Sequence, residues 1–441
     1  MSFAPRKYLQ NGMLVCGLAA LVVSSAALAQ STERASISSE ETEGNGYTAS
    51  AAISGDGRFV VFQSSATNLV PNDTNAIDDI FLRDRLLGTT VRVNVGSGGV
   101  EANGWSATPA ISRDGRYIVY ESSATNLVST ANNGPYHIFR YDTQTGATVH
   151  VSKSTAGVQG NGSSTYPSIS NDGRYISFSS LATNLVTGDT NARPDVFRRD
   201  VVSNITIRVN VTNAGAQGNN TETRAGNASS AISGDGRYVL FRSNATNLVA
   251  GDTNTFADLF VRDITGLTTR RVSVANAGGQ PNNVSYMGAI SADGRYVVFS
   301  TAATNLVAGD TNIAEDVFVR DRTLNTTTRV SVSTSGAQTP TGELGSTSPS
   351  ISDDGRFVAF TSYAPNLVAG DTNGVSDIFV RDRTNNTTVR DSVSTAGAEG
   401  DDYSHSGKIS ANGLFTGFIS GSSTLVSGDG NGTNDAFVRV R

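Results

Sequence analysis

The sequence predicts an all-β fold, a seven-bladed β-propeller with four antiparallel strands per blade. Three observations carry this. The motif Ile-Ser-x-Asp-Gly-Arg-aromatic, or a near relative, recurs with its isoleucine at Ile53, Ile111, Ile169, Ile232, Ile290, Ile351 and Ile409. The steps are 58, 58, 63, 58, 61 and 58 residues, and such a period across a whole chain marks a repeat architecture. Each of the first six copies holds four short β-type runs and none of the 3.6-residue periodicity of a helix. The last copy lacks its fourth run, and a matching run stands near the start of the chain.

The sixth copy shows the elements in order. Pro349 to Ser352 is a short β-type run, and Asp353-Asp354-Gly355 is a turn, because Asp-Gly supplies the positive φ that a tight hairpin needs. Arg356 to Thr361 is a second strand, rich in aromatic and β-branched residues. A loop runs from Asn366 to Asn373. Asp377 to Arg381 is a third strand, Arg383 to Asn386 a polar turn, and Thr387 to Ser394 a fourth strand. A lone blade cannot bury both faces, whereas a closed ring of seven can, and it leaves no long free edge. The seventh copy stops at its third strand, Ala436 to Arg441, while Glu33 to Ser38 matches Thr328 to Ser333. The N-terminal strand is therefore expected to complete the last blade. The rival architecture, an open β-solenoid, gives no reason to split one repeat between the termini.

Residues 1–29 read as a secretory signal peptide: basic Arg6 and Lys7, an apolar run from Met13 to Ala27, and the cleavage pattern Ala27-Leu28-Ala29. A membrane anchor would need about 20 apolar residues. Cys16 lies inside the run without the flanking pattern of a lipoprotein, so cleavage rather than lipidation is expected, and residues 30–441 form the propeller. The remainder has no cysteine, hence no disulfide. Without Arg6 and Lys7, 31 basic residues face 39 acidic ones, a net charge of −8, which disfavours nucleic acid as a partner. No further apolar segment suggests a membrane span. A periplasmic or extracellular monomer is expected.

The run Ser-x-Asp-Gly-Arg-Tyr-Val-Val-Phe-Ser, at Ser291 to Ser300, resembles the TolB-type propeller repeat of bacterial envelope proteins. The resemblance covers all seven copies. It implies a propeller blade and says little of function. Where that family usually has proline before Asp-Gly, this chain has Gly55, Arg113, Asn171, Gly234, Ala292, Asp353 and Ala411. The repeat is also longer, TolB has six blades, and its extra N-terminal domain has no counterpart here, so TolB's partners are not carried over.

The loop between the second and third strands repeats Asp-x-Asn-x-x-x-Asp. The triples are Asp73/Asn75/Asp79, Asp189/Asn191/Asp195, Asp252/Asn254/Asp258, Asp310/Asn312/Asp316, Asp371/Asn373/Asp377 and Asp429/Asn431/Asp435. The second copy has lost the pattern, reading Ser129 to Gly134 and then His137. Two readings stand. These oxygens could bind Ca²⁺, which takes six to eight of them. Alternatively, Asp and Asn cap their own turns through side-chain to backbone bonds. Six loops with two aspartates hold −12, so the rest of the chain is +4 and negative charge gathers on the loop face.

The histidines His137, His150 and His405 show no metal-ligand spacing and read as satisfied or surface residues. There is no Gly-x-Ser-x-Gly elbow and no Walker loop. Trp105, the only tryptophan, sits before the second blade, where it could stack on a sugar or simply pack. The arginines of Val-Arg-Asp-Arg, such as Arg320 and Arg322, are expected to pair with aspartate across strands or blades. The function expected is non-catalytic: a protein- or glycan-binding or scaffolding module with Ca²⁺ as a candidate loop cofactor. The alternative is a propeller hydrolase or lyase acting on a polysaccharide or lactone at the channel mouth.

Overall fold

The computed structural model describes residues 29–129, 135–219 and 230–441, apart from the side chain of Met287. The expected signal peptide and most of the degenerate loop of the second copy lie outside the described residues. Seven four-stranded antiparallel sheets form the chain, with one short 3-10 turn, Ser97–Gly99, among the described residues. Blade 1 comprises Thr48–Ile53, Phe59–Ser64, Asp79–Asp84 and Thr89–Arg92, paired in that order, and blades 2 to 6 repeat it. Blade 7 is the split one: Ser404–Ile409, Phe415–Ser420 and Asp435–Val440 are completed by the N-terminal strand Ser31–Arg34. Arg34 stands opposite Phe437, as Arg329 stands opposite Phe318 within blade 5. The fourth strands are shorter than the sequence suggests. In blade 6 the strand ends at Arg390, and Val393 makes only an isolated bridge to Glu399.

The repeated motif builds both the turn and the blade contact. In Ser291–Tyr296 the Ser291 hydroxyl donates to Asp293 Oδ1 at 2.6 Å, and Asp293 caps the Arg295 amide at 2.9 Å. Gly294 has φ +70°, and a Cβ there would lie 2.1 Å from the Tyr238 ring of the preceding blade. Glycine is thus required twice, for its left-handed backbone and for the close approach. The Arg295 guanidinium pairs with Asp321 at 2.7 Å and lies over Tyr296. Inside each blade the second and third strands stack a ring pair, such as Phe299 on Phe318 at 6.0 Å. Apolar side chains of adjacent sheets close over these pairs to form the inter-blade core.

One expectation is corrected here. Arg320 and Arg322 do not pair with aspartate; Asp321 between them belongs to Arg295. Arg320 donates to Thr327 Oγ1 at 3.1 Å, and Arg322 reaches the Gly294 carbonyl and lies 4.4 Å from the centre of the Tyr238 ring. Residues in a strand alternate in direction, so neighbours in Arg-Asp-Arg serve different contacts. The seventh copy loses both halves of the Arg–Asp pair: Leu414 replaces the arginine, and Val440 replaces the aspartate.

Candidate functional site on the loop face

The Asp-x-Asn-x-x-x-Asp loops and the crossovers between blades meet on one face. In blade 1, Asn75 donates to Asp79 Oδ2 at 3.2 Å and to the Ala102 carbonyl at 3.1 Å, while its own carbonyl accepts from the Ile77 amide at 3.1 Å. Asn75 therefore caps the turn and directs its nitrogen, not its oxygen, toward the aspartate. The other loops follow. Asn254, Asn312, Asn373 and Asn431 donate to Asp258, Asp316, Asp377 and Asp435 at 3.0–3.2 Å. Their oxygens accept from the amides of Phe256, Ala314, Val375 and Thr433 at 2.9–3.2 Å. Asn191 keeps the cap alone, accepting from the Arg193 amide at 3.0 Å. Asn75, Asn191, Asn254, Asn312, Asn373 and Asn431 are thus placed as turn caps, each amide oxygen accepting from the backbone two residues on.

Asp73 and Asp79 are buried, and between them lies Arg92 from the fourth strand, 3.3 and 3.1 Å away. The same unit recurs: Arg208 with Asp189 and Asp195, Arg271 with Asp252 and Asp258, Arg329 with Asp310 and Asp316, Arg390 with Asp371 and Asp377, and Arg34 with Asp429 and Asp435. The sequence reading brought the aspartates together correctly and missed the arginine. Its signal was available: five of the arginines stand thirteen residues past the final aspartate.

Blade 2 shows that the pair is one unit. His137 takes the aspartate position and His150, opposite Phe139 as Arg92 is opposite Phe81, takes the arginine position. The rings meet at 4.9 Å, and both bond the Ser152 hydroxyl, at 3.2 and 3.0 Å. Burial pushes His137 down to about 4 and His150 to about 3. The two charges have been replaced together by two neutral rings, so these histidines are satisfied residues on equivalent repeat positions.

The crossover adds a third group that divides the ring. Blades 6, 7 and 1 bring Glu399, Glu43 and Glu101 to their arginines, Glu399 and Glu101 at 2.6 Å. Blades 2 to 5 have Gln159, Gln217, Gln280 and Gln338 at that position. Each of the three glutamates joins two aspartates with oxygens within 4.8 Å of one another. Burial, then the neighbouring carboxylate, raises Asp73 and Asp371 to about 6 and Asp429 to about 7, against the pull of the arginine. Burial pushes Glu399 up as well, but hydrogen bonds from Thr372 and Arg390 outweigh it and leave this carboxyl lowered.

The carboxylates of this set hold a guanidinium. Calcium needs six to eight oxygens at 2.3–2.6 Å, yet Arg92 stands among the same carboxylates and Asn75 offers them an amide nitrogen.

The same crossovers carry exposed aromatics. Tyr47, Trp105 and Tyr403 each follow a glutamate by four residues and open blades 1, 2 and 7. Their carbonyls accept the equivalent backbone bond, from Ser65, Ser123 and Gly421. In blade 6 the next ring, Tyr363, sits at the donor position of that bond. All four are exposed, Trp105 by 53%. Four consecutive blades thus present an aromatic at the inner edge of the loop face. Blade 3 has Ser163 there and blade 5 Val284.

No family model matches the chain, and no curated protein matches it. Solved structures do. The propeller domain of the Trilobed protease from Pyrococcus furiosus is 9% identical with a TM-score of 0.52, over 89% of this chain and 95% of that one. Oligogalacturonate lyase from Vibrio parahaemolyticus is 10% identical with a TM-score of 0.50, over 94% and 97%. TolB from Acinetobacter baumannii is 16% identical with a TM-score of 0.41, over 78% of this chain and 63% of that one. At these identities the likeness is one of fold: the chain is a seven-bladed β-propeller whose neighbours include both TolB proteins and enzymes.

Proposed function

We propose that the protein is an exported, non-catalytic binding module whose loop face, over blades 6, 7, 1 and 2, takes an uncharged glycan. The observation that carries this is the run of exposed rings Tyr363, Tyr403, Tyr47 and Trp105 on consecutive blades. Exposed rings with little conformational freedom give large contact area, and a sugar's apolar face stacks on them. The carboxylate clusters of the same loops and crossovers disfavour an anionic polymer. An arginine supplies positive charge to each of the Asp-x-Asn-x-x-x-Asp loops. A binding rather than enzymatic role is supported by the central channel, whose ionisable lining among the described residues consists of Tyr166 and Lys408.

A panel of soluble uncharged oligosaccharides and polysaccharides, run by affinity electrophoresis, tests this. Retardation by at least one neutral glycan, lost in Trp105→Ala and Tyr47→Ala, is expected. Retardation only by a protein partner, or by glycans equally in the variants, overturns it.

A further inference from the structure

The central channel carries a feature that the loop face does not explain. Its wall is made by the first strand of every blade. The motif isoleucines, Ile53, Ile111, Ile169, Ile232, Ile290, Ile351 and Ile409, form a ring around it, and the cavity has a volume of about 540 Å³, within the usual range for a small-molecule site. The residue before each isoleucine is Ala52, Ala110, Ser168, Ala231, Ala289 or Ser350 in six blades, and Lys408 in the seventh. The lysine breaks the repeat at one position, facing the lumen. Its side chain is exposed to the channel, and no described group is hydrogen-bonded to its ammonium. Among the described residues it is the only charged side chain in the lining, which is otherwise aliphatic with scattered hydroxyls and Tyr166.

The channel is also plugged at the Asp-Gly-Arg end. Two residues beyond the isoleucine ring, the turns bond one another around the opening: Gly55 to Arg113, Asn171 to Gly234, Gly234 to Ala292, Ala292 to Asp353 and Asp353 to Ala411, at 2.9–3.2 Å. Arg113 of blade 2 then reaches Asp353 of blade 6 at 2.6 Å, with Asn171 on the same carboxylate at 3.4 Å. A Cβ at Gly55 would lie 2.5 Å from the Arg113 side chain, and the Arg113–Asp353 pair spans that opening between blades 2 and 6. The lysine thus stands near the closed end of an apolar pocket.

We propose that this pocket binds a small carboxylate with an apolar body, its carboxylate on the Lys408 ammonium and its body against the isoleucine ring. The ammonium stands alone on an apolar wall with no described partner, and an anionic group that accepts its hydrogen bonds complements it. A hydrogen bond to a charged partner is worth about tenfold to a hundredfold in affinity.

The test compares benzoate with benzyl alcohol, its uncharged counterpart, by isothermal titration calorimetry on the full propeller. Lys408→Ser installs the residue that blades 3 and 6 already carry, so the fold tolerates it. Benzoate is expected to bind about tenfold or more tighter than benzyl alcohol, with the preference lost in Lys408→Ser and kept in Trp105→Ala. Beyond the leader lysine Lys7, the chain has only Lys153 and Lys408. Benzoate is therefore also expected to slow amine labelling at Lys408 and not at Lys153. No heat from benzoate at about 10 mM, a range that detects very weak binding, or unchanged binding by Lys408→Ser, overturns the proposal. Neither result bears on the glycan surface, whose readout is the loop-face aromatics.

Discussion

Blades 6, 7 and 1 and blades 3, 4 and 5 share one backbone plan and differ in a crossover residue beside the buried arginine. The first group places glutamate beside the Asp–Arg–Asp unit and the second places glutamine. With glutamine, two buried carboxylates share one guanidinium; with glutamate, three do. The extra carboxylate explains why Asp73, Asp371 and Asp429 are the aspartates held near 6 or 7. It also travels with an exposed ring four residues later. A repeat that is structurally uniform is therefore chemically divided, and the division marks the face where a ligand is expected.

The largest effect should come from removing the arginine. Arg271→Ala leaves two buried carboxylates without their counter-charge and is expected to destabilise by about 3 kcal/mol, and Arg390→Ala, which leaves three, by about 5 kcal/mol. Urea unfolding at pH 7 checks this, and equal losses would erase the distinction between the two groups of blades.

Blade 2 gives the next effect. His137→Asp alone puts a buried carboxylate against a neutral ring and should cost about 2 kcal/mol. Adding His150→Arg should restore most of it, since the pair then matches Asp195 with Arg208. A double-mutant cycle reads the coupling.

The pH dependence sharpens the comparison further. A raised carboxyl pKa means that the folded state holds protons which the unfolded chain has released. This contribution to stability is greatest at low pH and falls as pH rises from about 4 to about 7. Lowered groups such as Asp382 and Asp263, held to about 2 by Arg356 and Arg237, act in the opposite sense and lose stability only as pH falls below about 4. Replacing Glu43, Glu101 and Glu399 together by Gln should flatten the slope between pH 4 and 7, read from melting temperatures across that range. The smallest effect is that of added calcium: 5 mM, about fiftyfold above a weak extracellular-type site at 10⁻⁴ M, is expected to shift the melting temperature by less than about 1 °C.

The sequence made the blade count, the split seventh blade and the hairpin role of Asp-Gly legible, because a repeated turn and alternating apolar strands need only local chemistry. The convergence of Asp73, Asn75 and Asp79 was legible for the same reason. The cation among them was not, because Arg92 comes from another strand and is brought in by register rather than by spacing within the loop. The pairing of His137 with His150 was hidden in the same way. Lys408 could be found only by aligning the copies and asking which side chain faces the channel.

The aromatic sector of the loop face is proposed to bind an uncharged glycan, and fluorescence tests this directly. Trp105 is the only tryptophan in the chain and lies in that sector, so its fluorescence reports directly. Titration with the neutral glycan that retards the protein should shift and quench Trp105 emission to saturation, with Tyr47→Ala weakening the midpoint about tenfold or more, as expected for the loss of one stacking ring at a hot spot. Emission unchanged at glycan concentrations that retard the protein would place binding elsewhere and contradict the account.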